Sequence, residues 1–224
     1  MQRPLVIYSM PRTRSYAALE AARRTERLDE PFGFWKLFPN HSSECYNLPS
    51  YFNSLISAEQ WQSIERAMAS PTAAVKLFGY HFYEVKAARA WWQQIQTANT
   101  HEIIVLERDR VEICYSMLMA RITGYWRQNE REAIRVNVND SDLLFLHRYI
   151  DCHIRWYPQV GRRVTWDRLP QELFDKSQIQ QEPQQNLQRL DLIANGDWVA
   201  ERIIDLMSFF GDEWDRAESQ LIPW

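Results

Sequence analysis

The sequence predicts an α/β protein with a central, mainly parallel sheet flanked by helices. Three observations predict it. Short apolar runs recur: Leu5-Val6-Ile7-Tyr8, "AAVKLF" (73–78) and "EIIVLER" (102–108). Such runs suit strands buried on both faces. Longer stretches with apolar residues at helical spacing alternate with them, and that alternation implies parallel crossovers. A chain of 224 residues that is 46% hydrophobic also has enough apolar surface for a packed core, and it suits one domain over 1–224.

The elements are expected in the following order. Residues 4–10 read as a strand and 14–26 as a helix. Residues 29–53, with Pro31, Pro39 and Pro49 among many aromatics, read as loops and short turns. Residues 57–69 read as a helix with Leu55, Ile56, Trp61, Ile64 and Met68 near one face. A strand over 73–78, a helix over 83–96 and a strand over 102–108 follow. A long helix over 110–128 carries a stripe of Ile113, Met117, Ala120 and Tyr125. The helix over 141–158 has Ser141 as its cap and Pro158 as its end. "RRVTW" (162–166) is a short strand, 170–176 one or two helical turns, and the Gln-rich segment 177–190 a mobile polar loop. The last helix, 197–211, is expected to end at Gly211. No internal repeat is present.

Composition narrows the function. The net charge of −3 gives no bulk attraction to nucleic acid, so an anion site must come from a local cluster. The three cysteines, Cys45, Cys114 and Cys152, are odd in number and widely spaced. That excludes a disulfide framework and a cysteine zinc site, and predicts reduced thiols in a cytoplasmic protein. No apolar run is long enough to span a membrane, and the first strand leaves no room for a signal peptide. Ten tryptophans exceed what a core needs and suit flat walls against a ligand.

In an open parallel sheet, ligands bind outside the carboxyl ends of the strands. Three expected strand ends meet that edge: the turn at 9–16, residue 78, and residues 107–109. The first turn holds Arg12, Thr13, Arg14 and Ser15 at the start of a helix, which combines guanidinium charge, hydroxyls and a helix N-terminus. Phosphate or sulfate oxygens fit such donors. The turn contains no glycine and is neither GxxxxGK[ST] nor GxGxxG. Pro11 and the helix start are expected to fix its path instead. At the later junction, Arg108 precedes Ser116 by eight residues, a little over two helical turns, so both can reach one phosphate. Taken alone, Arg108 reads as an ion-pair partner of Glu107, Asp109 or Glu112.

With these two junctions the chain resembles sulfotransferases that use 3′-phosphoadenosine-5′-phosphosulfate, in particular the bacterial trehalose sulfotransferase type. "PRTRSY" (11–16) resembles the PRSGST turn that holds the 5′-phosphosulfate, which implies that Arg12, Thr13, Arg14, Ser15 and Tyr16 bind the cofactor. "RDRVEICYS" (108–116) resembles the segment whose Arg and Ser hold the 3′-phosphate, which assigns that role to Arg108 and Ser116. "DEPFGFW" (29–35) resembles the Glu-Pro segment whose Glu is the base, and Glu30 lies eighteen residues past Arg12. "AAVKLF" places Lys76 as a catalytic cation, and "RRVTWDRL" (162–169) places Trp166 against the adenine and Asp167 beside it. Phe32, Trp35, His81 and Trp126, with Arg127, are the implied acceptor wall. The chain departs from the pattern at Arg14 for Gly, at Tyr16, and at Arg110 for Pro. It has no Arg-Lys-Gly segment, for which Arg162 and Arg163 are the available substitutes.

The resemblance implies a P-loop-like three-layer sandwich and transfer of a sulfuryl group to a hydroxyl of a small molecule or glycan. It leaves adenosine 3′,5′-bisphosphate as product and needs no metal. Neither a nucleic acid nor a membrane is expected as partner, and a homo-oligomer stays open, with Trp224 packing on a neighbour or folding back. Two alternatives stand beside it. A catalytically silent nucleotide-binding protein is suggested by Arg14 and Tyr16. A small-molecule kinase on a related scaffold lacks its lysine motif and acidic metal site here.

Overall fold

The computed structural model describes residues 2–13, 15, 18–19, 22, 26–28, 58–84, 86–123, 136–165 and 193–223. Among the described residues five parallel strands form one sheet: β1 (Leu5–Ser9), β2 (Glu26–Leu28), β3 (Ala73–Leu77), β4 (Glu102–Glu107) and β5 (Arg162–Thr165). Their order across the sheet is β2-β3-β1-β4-β5. The central strand is therefore the first in the chain, flanked by β3 and β4. In register, Ile7 lies opposite Lys76 on one side and Ile104 on the other, and Ser9 opposite Leu106.

Alternation along the strands builds two apolar faces. Val6 and Tyr8 join Val75, Leu77, Ile103 and Val105 on one. That face packs against α1 (Ala58–Met68), α2 (Gly79–Glu84) and α3 (Lys86–Ala98), through Met68, Phe82 and the Trp91-Trp92 pair. Both tryptophans are buried. Leu5 and Ile7 face the opposite way, with Ala74, Ile104, Leu106 and Val164, onto Ala18 and Leu19 of the helical segment after β1. Every residue of β1 and β3 is buried, as strands covered on both faces require.

A third core lies among α4 (Arg110–Thr123), α5 (Asp140–Arg155) and α6 (Gly196–Ser219), where Met10 joins Met117, Leu146, Ile150, Ile203 and Trp214. Met10 follows directly on β1, so this helical cluster abuts the carboxyl end of the central strand. Two close backbone approaches fix the frame. A Cβ at Gly79 would lie 2.4 Å from the carbonyl oxygen of Cys152, so α2 meets α5 backbone to backbone. Gly161 has φ of 149° and leads into β5 with its Cα facing the Ile103 carbonyl.

Several expected boundaries are corrected. Glu26, placed at the end of a helix, opens β2 instead; three residues reading Glu-Arg-Leu carry no strand pattern, and the pairing with β3 supplies what propensity does not. The stretch expected as one helix over 83–96 is two, α2 and α3, and α2 begins earlier, at Gly79. The cap of α5 is Asn139, not Ser141: its side chain accepts from the N–H groups of Ser141 and Asp142, and Asp142 returns a bond to the Asn139 N–H. The last helix does not end at Gly211 but continues to Ser219, because Trp214 carries the buried stripe of Val199, Ile203 and Phe210 past the glycine. Beyond it the chain folds back: Ile222 donates to Gln159 O at 2.9 Å and accepts from the Gly161 N–H at 3.1 Å. The expected loops at 29–53, the turns at 170–176, the segment 177–190 and Trp224 lie outside the described residues.

No described helix is long and apolar enough to cross a membrane. Cys114 and Cys152 are buried and unbridged, and burial, with Asp109 adding to it, pushes the Cys114 thiol up to about 12. Such a thiol is inert at neutral pH.

Candidate functional site at the carboxyl edge

The turn after β1 takes its shape from Arg12, whose φ of 70° places a non-glycine residue in the left-handed region. The turn thus does need a glycine-like conformation, and Pro11 does not remove that need. Two bonds hold it. The Arg12 carbonyl accepts from Arg108 Nη1 at 2.9 Å, and Arg12 Nε donates to Ser116 Oγ at 3.0 Å. Strain of this kind persists where surrounding contacts over-determine it, and it concentrates at functional sites.

Arg12, Arg108 and Ser116 therefore form one cluster, drawn from the first turn, the end of β4 and the second turn of α4. Arg108 is nearly buried, with 8% of its side chain exposed, and its Nε donates to Glu112 Oε2 at 2.9 Å. The ion pair open to Arg108 in the sequence thus forms with Glu112, one helical turn on. With Nε and Nη1 engaged, Arg108 Nη2 has no hydrogen-bond partner among the described residues. Asp109 starts α4 by accepting from the Glu112 N–H at 2.8 Å, an N-cap arrangement that the sequence reading did not name.

Thr13 was expected to offer its hydroxyl to a ligand. Instead it is fully buried and donates to the Met10 carbonyl at 2.8 Å, which braces the turn from inside. Ser15 is buried and helical.

A second group gathers at the end of β3. Lys76 is buried, and its Nζ lies 5.5 Å from the centre of the Phe78 ring. His81, expected in a loop lining the acceptor wall, sits inside α2 and is fully buried. Its Nδ1 accepts from the Phe78 N–H at 3.2 Å. Burial, with the charge of Lys76 adding to it, pushes His81 down to about 3, so its ring is neutral at physiological pH. A fully buried ring in this position braces the α2 start rather than forming an open wall.

A groove of about 550 Å³ opens along the carboxyl ends of β4 and β5, lined in part by Arg108, Arg110, Arg163, Thr165 and Glu218. Arg163 pairs with Glu107 and, at 2.9 Å, with Glu218. Tyr157 OH donates to Glu107 at 3.1 Å; burial and then the nearby Glu107 and Glu218 charges push that phenol well above its usual value. Arg110 Nη2 lies 2.7 Å from Asp215 and 2.9 Å from Glu218. The sequence marked Arg163 as a substitute cation and Arg110 as a departure. It gave no sign of Glu218, which reaches them only because α6 runs past Gly211.

Arg14, Tyr16, Glu30, Phe32, Trp35, Trp126, Arg127, Trp166 and Asp167 lie outside the described residues. Among the described residues, no group of three or more His, Cys, Asp or Glu side chains is arranged to hold a metal ion. The edge has the means to hold a doubly charged oxyanion: guanidinium groups from two strand ends, a hydroxyl, and the starts of two helices. The chain matches no family model, no curated protein and no solved structure.

Proposed function

We propose that the protein is a sulfuryl transferase of P-loop-like architecture that uses 3′-phosphoadenosine-5′-phosphosulfate and a hydroxyl acceptor on a small molecule or glycan. The observation that carries this reading is the convergence of Arg12, Arg108 and Ser116 at the carboxyl edge of the central strands. The donor set fits the nucleotide: Arg108 keeps one nitrogen unengaged among the described residues, and Arg12 and Ser116 sit beside it. When bound, the nucleotide supplies an activated sulfuryl group on a phosphate oxygen.

The chain's own residues have three tasks. Arg108 and Ser116 orient the 3′-phosphate. Arg12, with Lys76 and the backbone N–H groups of the first turn, stabilises charge on the phosphate oxygen that leaves. Preorganised donors of this kind are worth about 3–4 kcal/mol each at the transition state. Glu30 takes the proton of the acceptor hydroxyl as the new S–O bond forms. We place the protein in the cytoplasm, a reading that the buried thiols of Cys114 and Cys152 support.

A second reading rests on one specific contact. Glu112 already neutralises Arg108, and an anion must share that guanidinium with a carboxylate. This favours a silent nucleotide binder over a fast enzyme. Calorimetric titration with adenosine 3′,5′-bisphosphate in the absence of magnesium tests both readings. Binding that is lost in Arg108→Ala is expected. Undiminished binding in Arg108→Ala and Ser116→Ala overturns the assignment, and turnover of a hydroxyl acceptor that stops in Glu30→Gln separates enzyme from binder.

A further inference from the structure

The groove between the ends of β4 and β5 carries an arrangement that the nucleotide reading does not use. Arg110 and Arg163 come from different elements, yet both grip the carboxylate of Glu218, one oxygen each: Arg110 Nη2 on Oε1 and Arg163 Nη2 on Oε2, both at 2.9 Å. A carboxylate so bridged between two guanidinium forks occupies the seat of a tetrahedral oxyanion. The forks are not used up. Among the described residues, Arg110 Nε and Nη1 and Arg163 Nη1 have no hydrogen-bond partner, and both arginines line the groove. Each arginine also has a second carboxylate, Glu107 on Arg163 Nε and Asp215 on Arg110 Nη2, while Asp109 caps α4. Arg163 is 43% exposed, which leaves a route in from solvent. Glu218 stands near the end of α6, one residue before the helix stops at Ser219, past the anchoring Trp214.

We infer that this groove is a binding site for a phosphate- or sulfate-bearing anion, and that Glu218 is a tethered competitor that holds Arg110 and Arg163 until the anion displaces it. The inference needs an oxyanion and no nucleotide, so it stands or falls apart from the sulfuryl-transfer reading. Displacement frees the last turn of α6 and makes occupancy of the groove and order at the C-terminal end of the helix mutually dependent.

The test titrates the full chain and Glu218→Gln with sodium phosphate, sodium sulfate and adenosine 3′,5′-bisphosphate at constant ionic strength. Removing the two ion pairs of the competitor is expected to tighten anion binding roughly three- to tenfold. Adding Arg163→Ala to Glu218→Gln is expected to abolish the gain. A gain with inorganic phosphate or sulfate assigns the site to a free anion, and one confined to the bisphosphate assigns it to an anion carried on a nucleotide. No gain with any of the three, or a gain that survives Arg163→Ala, overturns the inference. Hydrogen exchange of the unaltered chain gives a readout that does not depend on the variant's folding. Phosphate or the bisphosphate should speed exchange at residues 216–219, and unchanged or slowed exchange there with every anion counts against displacement.

Discussion

Arg12 Nε lies 3.0 Å from Ser116 Oγ across 104 residues of chain. The contact joins the turn after the central strand to the second turn of α4, and Arg108 closes the triangle through the Arg12 carbonyl. Ser116→Ala removes the acceptor of a part-buried guanidinium N–H. It should cost about 1–2 kcal/mol of folding stability, read by urea unfolding. Affinity for adenosine 3′,5′-bisphosphate should fall in the same variant. Unchanged stability would mean that water replaces the hydroxyl without loss and that the other contacts of the turn hold it.

Arg12 holds a backbone conformation that favours glycine, with φ of 70°. Arg12→Ala loses the side-chain bond and keeps the strain, whereas Arg12→Gly loses the bond and relieves the strain. The glycine variant should therefore be the more stable of the two by about 1 kcal/mol. Both should lose anion affinity to a similar degree, because the guanidinium is gone in each. Comparison of their thermal unfolding checks the first point. An alanine variant as stable as the glycine variant would mean that the turn relaxes out of the left-handed region once Arg12 is lost.

Much of this frame was legible in the sequence, for identifiable reasons. Strands β1, β3 and β4 are buried on both faces, so each reads as a mainly apolar run, with Lys76 the exception inside β3. The eight-residue interval from Arg108 to Ser116 was readable as a strand end followed by two helical turns, and Arg108 does close β4 while Ser116 lies in the second turn of α4. What stayed hidden depends on partners distant in the chain. Glu26–Leu28 is a strand only because β3 lies beside it. His81 reads as an exposed loop residue until α2 and α5 close over it. Glu218 has no local signal at all: its role appears only when α6 is known to continue beyond Gly211 and to pass β5. Thr13 shows the limit of residue type as a guide, since a hydroxyl at a helix start serves a ligand or its own turn equally well, and here it bonds Met10 O.

Stability should fall as the solution is acidified below about pH 6.5. Burial pushes both His81 and His153 down to about 3; Lys76 adds to the effect at the first and Arg110 at the second. Above pH 6.5 both rings are neutral folded or unfolded, and they contribute no pH dependence. Between the unfolded and folded values only the unfolded chain takes up the protons, so each histidine favours unfolding by about 1.4 kcal/mol per pH unit. The loss levels off near pH 3. His153 stacks on Tyr8 at 5.2 Å with its ring 13° from parallel. His153→Phe keeps that stacking and removes one titration, so it should reduce the acid slope of the unfolding free energy. A slope identical to that of the unaltered chain would show that the ring is already solvated.

Two glycines should respond in opposite ways to the same added methyl group. At Gly79 a Cβ meets three backbone atoms of Cys152 and His153 at 2.4–2.7 Å, and none of them belongs to a flexible side chain. Gly79→Ala has to push α2 away from α5, which opens the packing around Tyr8 and His153. It should destabilise by about 3 kcal/mol. At Gly211 nothing lies within 4 Å of the added carbon, and the residue is inside α6 with five residues on either side that are helical. Gly211→Ala therefore restricts the unfolded chain without a clash, and should stabilise by about 0.5–1 kcal/mol. Denaturant unfolding of the two variants measures both effects. A neutral or destabilising Gly211→Ala would mean that α6 bends or stops at the glycine, and then Asp215 and Glu218 would not be carried to Arg110 and Arg163 by a continuous helix.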